Sequence, residues 1–257
     1  MRNRLENPNF EREFENQRLT RLESLRNIDL DKKLRELFRK STIRFRSSQR
    51  EILGDILDRV RPILAILPTG SGKSVLFQLP SFLGSFGVSI LIEPLVSLLQ
   101  DQFSRAPTLG ISSAIFNARS PPDSACLVFT TPETFLSLDF RNFINRLRIT
   151  YRLDRVFIDE VQVVLNLKES FRKRLSRLGE IVNFKTQLVL LTATLPPKYE
   201  LDLLRTLGLD STRPKIYRNS TLRENIRYSV YSKVLKEKAL FLIREKDSYL
   251  YSNNRAR

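Results

Sequence analysis

Apolar residues run along this chain in two rhythms, and the alternation between them predicts its architecture. From Phe45 onward, six short runs are apolar almost throughout and read as strands: 62–67, 88–94, 112–117, 125–130, 155–159 and 187–193. Between several of them, apolar positions recur every three or four residues and predict helices, as in "SQREILGDILDRV" (48–60), "LVSLLQDQFSRA" (95–106) and "SFRKRLSRLGEIV" (170–182). A strand with no polar side must be covered on both faces. The expectation is therefore an α/β fold: a mostly parallel central sheet, helices on both faces, and ligands at the carboxyl ends of the strands.

The flanks read differently. Leu19, Leu22, Leu25, Leu30, Leu34 and Phe38 fall at mostly helical intervals in an Arg- and Glu-rich stretch. They predict one or two short amphipathic helices, packed as an appendage (1–40) on the main domain (41–231). The segment 210–231 is polar with short β-prone pieces and reads as the exit from that domain. Residues 232–257 look helical to about Glu245 and then end in a polar, basic tail. They form either a tail or the start of a second domain. No internal repeat or low-complexity tract interrupts the pattern.

Composition narrows the function classes. With 257 residues and 41% apolar side chains, the chain can bury a full core. Its net charge of +16 points to a polyanionic partner, most simply nucleic acid, against the alternative of a merely solubilising surface. Basic clusters at 141–155 and 168–177 fit either reading. The single cysteine, Cys126, lies in an apolar run and reads as core, so no disulfide framework or Cys-based metal site is expected. The absence of histidine excludes His-based zinc sites and Ser-His or Cys-His catalysis. No apolar run is long enough to span a membrane, and the mixed-charge N-terminus does not read as a signal peptide. An intracellular protein is expected.

The chemistry concentrates at two strand ends. Thr69-Gly70-Ser71-Gly72-Lys73-Ser74 follows the first strand and opens a helix. Glycines there let backbone N–H groups turn toward phosphate oxygens, and the helix N-terminus adds its dipole. Lys73 reaches toward the β and γ phosphates, and the Ser74 hydroxyl suits Mg²⁺, so ATP with Mg²⁺ is the expected cofactor. The strict phosphate-loop pattern has glycine at position 67, where this chain has leucine. The apolar strand "RVFID" ends in Asp159-Glu160. Asp159 is suited to hold Mg²⁺ through water, and Glu160 to orient or deprotonate an attacking water.

In order along the chain, these segments resemble the first RecA-like domain of a superfamily-two helicase, and specifically the RecQ family. "FRSSQREIL" (45–53) resembles that family's adenine-recognition motif, with Arg46 and Gln49 at the positions that address the base. "LPTGSGKSVLFQLP" (67–80) resembles motif I, "EPLVSLLQDQ" (93–102) motif Ia, "TTPETF" (130–135) motif Ib, "IDEVQ" (158–162) motif II and "LTATLP" (191–196) motif III. "RENIRYSV" (223–230) resembles the segment that leaves the first domain. The resemblance implies an ATP-driven 3′-to-5′ DNA helicase that acts in the nucleus, in DNA recombination and repair. It places Pro94, Ser97, Gln100, Thr131, Pro132, Glu133 and Arg172 against single-stranded or tailed duplex DNA. Gln162 joins the catalytic group Lys73, Asp159 and Glu160, and Thr192, Ala193 and Thr194 provide the coupling of motif III. The segment 163–175 is most similar to divergent fungal, telomere-associated members.

The departures carry expectations too. The family's Asp-Glu-Ala-His is here Asp159-Glu160-Val161-Gln162; glutamine can hydrogen-bond toward motif III but carries no proton charge. Of the family's Trp-Gly-His-Asp-Phe-Arg after motif II, only Phe171 and Arg172 are kept. Thr42 and Ile43 stand where an aromatic is expected to sandwich the base. No second RecA-like domain follows Val230 in the sequence, so a second lobe would have to act in trans. The alternative function is a nucleotide- and nucleic-acid-binding remnant without motor activity. An RNA helicase of the DEAD-box kind fits less well, since those carry Asp-Glu-Ala-Asp and Ser-Ala-Thr.

Overall fold

The computed structural model describes residues 8–59, 62–84, 87–166, 186–209 and 211–220, and all of these fall in one compact unit. In chain order the elements are α1 (Pro8–Arg26), α2 (Leu30–Phe38), α3 (Gln49–Leu57), β1 (Ile63–Ile66), α4 (Val75–Leu83), β2 (Val88–Ile92) and α5 (Val96–Arg105). They continue as β3 (Ser113–Ile115), β4 (Leu127–Thr130), α6 (Pro132–Phe135), α7 (Leu138–Ile149) and β5 (Leu153–Ile158). A 3-10 segment (Val161–Asn166), β6 (Gln187–Thr192), α8 (Glu200–Thr206) and β7 (Lys215–Arg218) complete the described part.

The strands form one sheet in the order β3-β4-β2-β5-β6-β1-β7, with every pair parallel. Strand parity divides the core. Leu64, Ile66, Ile90, Ile92, Val156, Ile158, Leu188 and Leu190 point to one face, where α7, the 3-10 segment and α8 cover them. Ile63, Ala65, Leu91, Phe157, Val189 and Leu191 point to the other, under α1 to α5. Burial on both faces is why β1, β2, β4, β5 and β6 read as mostly apolar runs. This is the α/β fold expected of a RecA-like P-loop domain, with a helical segment before it.

Two flanking expectations are refined. The N-terminal segment holds two helices, but α1 is 19 residues long rather than short. Its inward face carries Arg18 and Arg21 beside Leu22 and Leu25; the two arginines meet the buried Asp154 of β5 at 3.9 and 2.6 Å. The polar stretch read as the domain exit contributes β7, which pairs with β1 at the sheet edge (Ile63↔Lys215). Only Tyr217 of that strand is buried, so its sequence lacks the alternation of a half-buried strand. The helix expected over 170–182 and everything expected after residue 220 lie outside the described residues.

Candidate nucleotide and nucleic-acid site

The carboxyl ends of β1, β2, β5 and β6 gather the residues that carry chemistry. After β1, Leu67 still behaves as strand: its N–H donates to Thr192 O on β6 at 2.9 Å and its side chain is buried. That pairing accounts for leucine where the strict pattern has glycine. The chain then turns through Gly70 (φ +83°) and Gly72 (φ +77°), a left-handed backbone that glycine adopts without strain, and enters α4 at Val75. A Cβ on Gly70 would meet nothing within 4 Å, so the turn leaves open space there. Thr69 is exposed on this turn, while the Ser71 hydroxyl is buried without a partner. Ser74 sits at the N-cap of α4. An open glycine cradle with an orphaned hydroxyl at a helix N-terminus suits a bound polyphosphate.

Lys73 and the end of β5 face each other. Lys73 Nζ lies 3.7 Å from Glu160 Oε1, both side chains being mostly enclosed. Glu160 takes a left-handed φ of 45°, and its N–H donates to Asp159 Oδ1 at 2.9 Å. Asp159 is buried, and burial pushes its carboxyl up; the Glu160 N–H and the Lys73 charge act the other way. Beside it, Glu93 at the end of β2 is wholly enclosed. Burial, reinforced by the charges of Asp159 and Glu160, pushes it up to about 8. Its oxygens accept from Leu95 N–H (3.1 Å) and Gln102 Nε2 (3.3 Å).

Gln162 links motif II to motif III. Its Nε2 donates to Glu160 Oε2 at 2.7 Å, and its Oε1 accepts from the Thr192 hydroxyl at 2.5 Å. Thr192 Oγ1 in turn accepts from Thr194 N–H at 3.1 Å, closing the turn through Ala193. The chain Lys73–Glu160–Gln162–Thr192–Thr194 is continuous, and glutamine serves where the family has histidine because the link asks for one donor and one acceptor.

Arg46 and Gln49 are brought to the phosphate loop and bonded to it. Gln49 Nε2 donates to Ser71 O (2.6 Å) and Gly72 O (3.1 Å), its Oε1 accepts from Arg46 N–H (2.8 Å), and Arg46 Nη1 donates to Gly70 O (2.9 Å). A cavity of about 680 Å³ adjoins them, lined in part by Phe38, Ile43, Ser74 and Gln78. Near Thr42 and Ile43, where the sequence lacks the expected aromatic, Phe38 at the end of α2 lines this cavity. Its only signal in the sequence was its place in a helical repeat.

The residues assigned to nucleic acid lie at the ends of the adjacent strands β2 and β4. Pro94 follows β2, and Ser97 and Gln100 are exposed on α5. The Thr131 hydroxyl caps α6 by accepting from Thr134 N–H at 3.3 Å; Pro132 is buried and Glu133 exposed. Leu95, which caps α5, and Val96, its first residue, are exposed apolar residues with half or more of their surface open. Arg172 and the loop around it lie outside the described residues. Among the described residues no cluster of three His, Cys, Asp or Glu side chains suits a metal ion, and no helix is long and apolar enough to cross a membrane.

The comparisons with known proteins converge on a helicase domain. The DEAD/DEAH box helicase family model matches residues 46–202, and the chain belongs to that family. It is similar to the RecQ-like DNA helicase BLM of Xenopus laevis (32% identical over 238 residues, 83% of this chain and 17% of that protein). It is also similar to the ATP-dependent DNA helicase RecQ of Pasteurella multocida (27% identical, 83% of this chain and 35% of that protein). The fold matches the DUF1998 helicase MrfA bound to DNA and AMPPNP with a TM-score of 0.59 at 17% identity, over 82% of this chain and 34% of that one. This is a superfamily-two, RecQ-like helicase domain, and it spans between 14% and 41% of the length of its curated relatives.

Proposed function

We propose that this chain is the nucleotide-binding lobe of a RecQ-like, 3′-to-5′ DNA helicase, in which ATP hydrolysis is coupled to a single strand of DNA. The observation that carries the reading is the facing of Lys73 and Glu160 across an open glycine turn. On this reading Gly70 to Gly72 wrap the phosphates with backbone N–H groups, and Lys73 exchanges its contact with Glu160 for the β and γ phosphates. Ser74 and Asp159 would hold Mg²⁺, which when bound offsets the phosphate charge. Glu160, released from Lys73, orients or deprotonates the attacking water, and Gln162 holds Glu160 to motif III. Arg46 and Gln49 frame the base beside Phe38. Pro94, Ser97, Gln100 and Thr131 to Glu133 line the path of the strand, assisted by the overall positive charge. A nuclear role in recombination or repair, and the narrower tie to fungal telomere-associated members, rest on sequence resemblance alone.

Calorimetric titration of ATP with Mg²⁺ into the protein tests the reading. Lys73→Ala is expected to weaken binding about tenfold, which is about 1.4 kcal/mol. Equal affinity of the two forms would overturn it.

A further inference from the structure

Beyond motif III the chain builds a second cavity, of about 610 Å³, on the face of the sheet covered by α7 and α8. Gln162, Thr194, Leu165, Pro196, Asp202 and the exposed Tyr199 and Arg205 are among its lining residues. The volume lies within the about 300–1,000 Å³ typical of small-ligand sites. Its make-up is not that of a core defect. It combines apolar surface, an aromatic ring, an amide, a hydroxyl, the Asp202 carboxylate and the Arg205 guanidinium, which lies 3.8 Å from that carboxylate.

Tyr199 is unusual for its position. It ends a single 3-10 turn, Pro197–Tyr199, whose stiffness comes from two consecutive prolines and a Tyr199 N–H to Pro196 O bond of 2.9 Å. Tyr199 is 41% exposed, although burying its ring would remove much apolar surface from water. Lys198 Nζ lies 4.8 Å from its centroid. A rigid, half-open ring with a cation on it, at the mouth of a cavity in a chain of net charge +16, is a platform for a planar, electron-rich group attached to phosphates.

We infer that this cavity receives one unstacked nucleobase of a bound single strand, stacked on Tyr199, with Lys198 facing a neighbouring phosphate while Arg205 stays paired with Asp202. The inference rests on the proposed function, because it supposes that a single strand is bound at all. It adds a site that motifs Ia and Ib do not include. It also gives the strand a direct contact with Gln162, the residue that ties Glu160 to motif III. Occupancy of the cavity is thereby felt at the hydrolytic carboxylate, about two side chains away.

The test is fluorescence anisotropy with a short labelled oligothymidylate at low salt, using wild type, Tyr199→Ala, Tyr199→Phe and Tyr199→Trp. Stacking on a single base is expected to make Tyr199→Ala about tenfold weaker, while Phe and Trp keep the affinity within about threefold. ATP affinity, measured in parallel, stays unchanged in all four, which shows that the exposed substitution leaves the fold intact. A second measurement places one 2-aminopurine in the oligonucleotide and steps it along the strand. Wild type is expected to alter the fluorescence strongly at one position, and Tyr199→Ala to lose that response. Wild-type binding with Tyr199→Ala equally tight overturns this inference and leaves the proposed function standing, with the cavity open to a protein side chain instead. Equal loss in Ala and Phe overturns stacking in favour of the hydroxyl. No oligonucleotide binding by wild type at any salt overturns both readings.

Discussion

The Thr192 hydroxyl donates a 2.5 Å hydrogen bond to Gln162, and through that amide the end of β6 is tied to Glu160 at the end of β5. An amide donates with one end and accepts with the other at every pH, so the link carries no charge. Histidine at the same place would not be neutral throughout. Beside Glu160 an imidazolium is favoured, so the folded pKa of the Gln162→His variant rises above the ordinary value of about 6.5. The gain is present in full below about 6.5 and is lost as pH rises through the folded value. Urea unfolding of both proteins from pH 5.5 to 8.5 should give a difference curve that falls by about 1 kcal/mol across neutrality. A flat difference would mean that residue 162 does not sense Glu160.

Glu93 gives the wild type a pH dependence of its own. The unfolded carboxyl releases its proton near 4.5, whereas burial holds the folded one to about 8. The folded state therefore binds the extra proton between those values. Its contribution is complete below about 4.5, declines by up to about 1.4 kcal/mol per pH unit, and is gone above about 8. Burial of Asp159 acts in the same direction. Glu93→Gln is neutral at every pH and can still accept from Leu95 N–H. It should unfold at higher urea than wild type at pH 8 and show a flatter profile from pH 5 to 8. An unchanged slope would show that another group sets the profile.

What the sequence revealed and what it hid follow from where each signal resides. β1, β2 and β4 to β6 were legible because burial on both faces leaves them mostly apolar, with polar residues such as Asp154, Arg155 and Thr192 confined mainly to their ends. The glycine turn and the Asp159-Glu160 pair were legible because their chemistry is contiguous in the chain. β7 was not, since Ile216 faces solvent and Tyr217 alone is buried. The length of α1 was under-read because two of its inward positions are arginines, which thin the apolar stripe that marks a buried face. Nothing in the sequence marked Glu93 as fully buried; the structure encloses it beside Gln102, nine residues on, which donates to it. Phe38 and Tyr199 line cavities only because distant elements bring those cavities to them.

Arg39 is a local conflict between residue and conformation. It caps α2 in the left-handed region (φ 53°), donating its N–H to Arg35 O and Glu36 O, with its side chain exposed. Glycine takes this conformation without the Cβ penalty. Arg39→Gly should therefore raise stability by about 0.5–1 kcal/mol, or roughly 2 °C in melting temperature for a domain of this size. Arg39→Ala keeps the Cβ and should gain nothing. Equal melting temperatures for the Gly and Ala variants would locate the effect in the lost side chain instead.

The clasp between α1 and the sheet depends on a carboxylate that has no room to move. Asp154 is buried in β5, receives Arg21 Nη2 at 2.6 Å and lies 3.9 Å from Arg18 Nε. Its neighbour Arg155 is fully buried, with Nε and Nη2 unpartnered, so the carboxylate answers an excess of positive charge. Removing one side of such a group leaves buried charge uncompensated, and Asp154→Ala should cost about 3–5 kcal/mol. Gly87 stands against the same carboxylate: a Cβ there would lie 1.8 Å from Asp154 Oδ2 and 3.2 Å from Arg21 Nε. Gly87→Ala must therefore displace Asp154 and loosen the same clasp by steric means. Once Asp154 is alanine, that Cβ meets no carboxylate, and its cost should largely vanish. Urea unfolding of the two single variants and the double variant measures the coupling. A double variant close in stability to Asp154→Ala alone, with α1 cut faster by trypsin in all three, is the expected result. Strict additivity of the two single losses would show that Gly87 and Asp154 act on different parts of the fold.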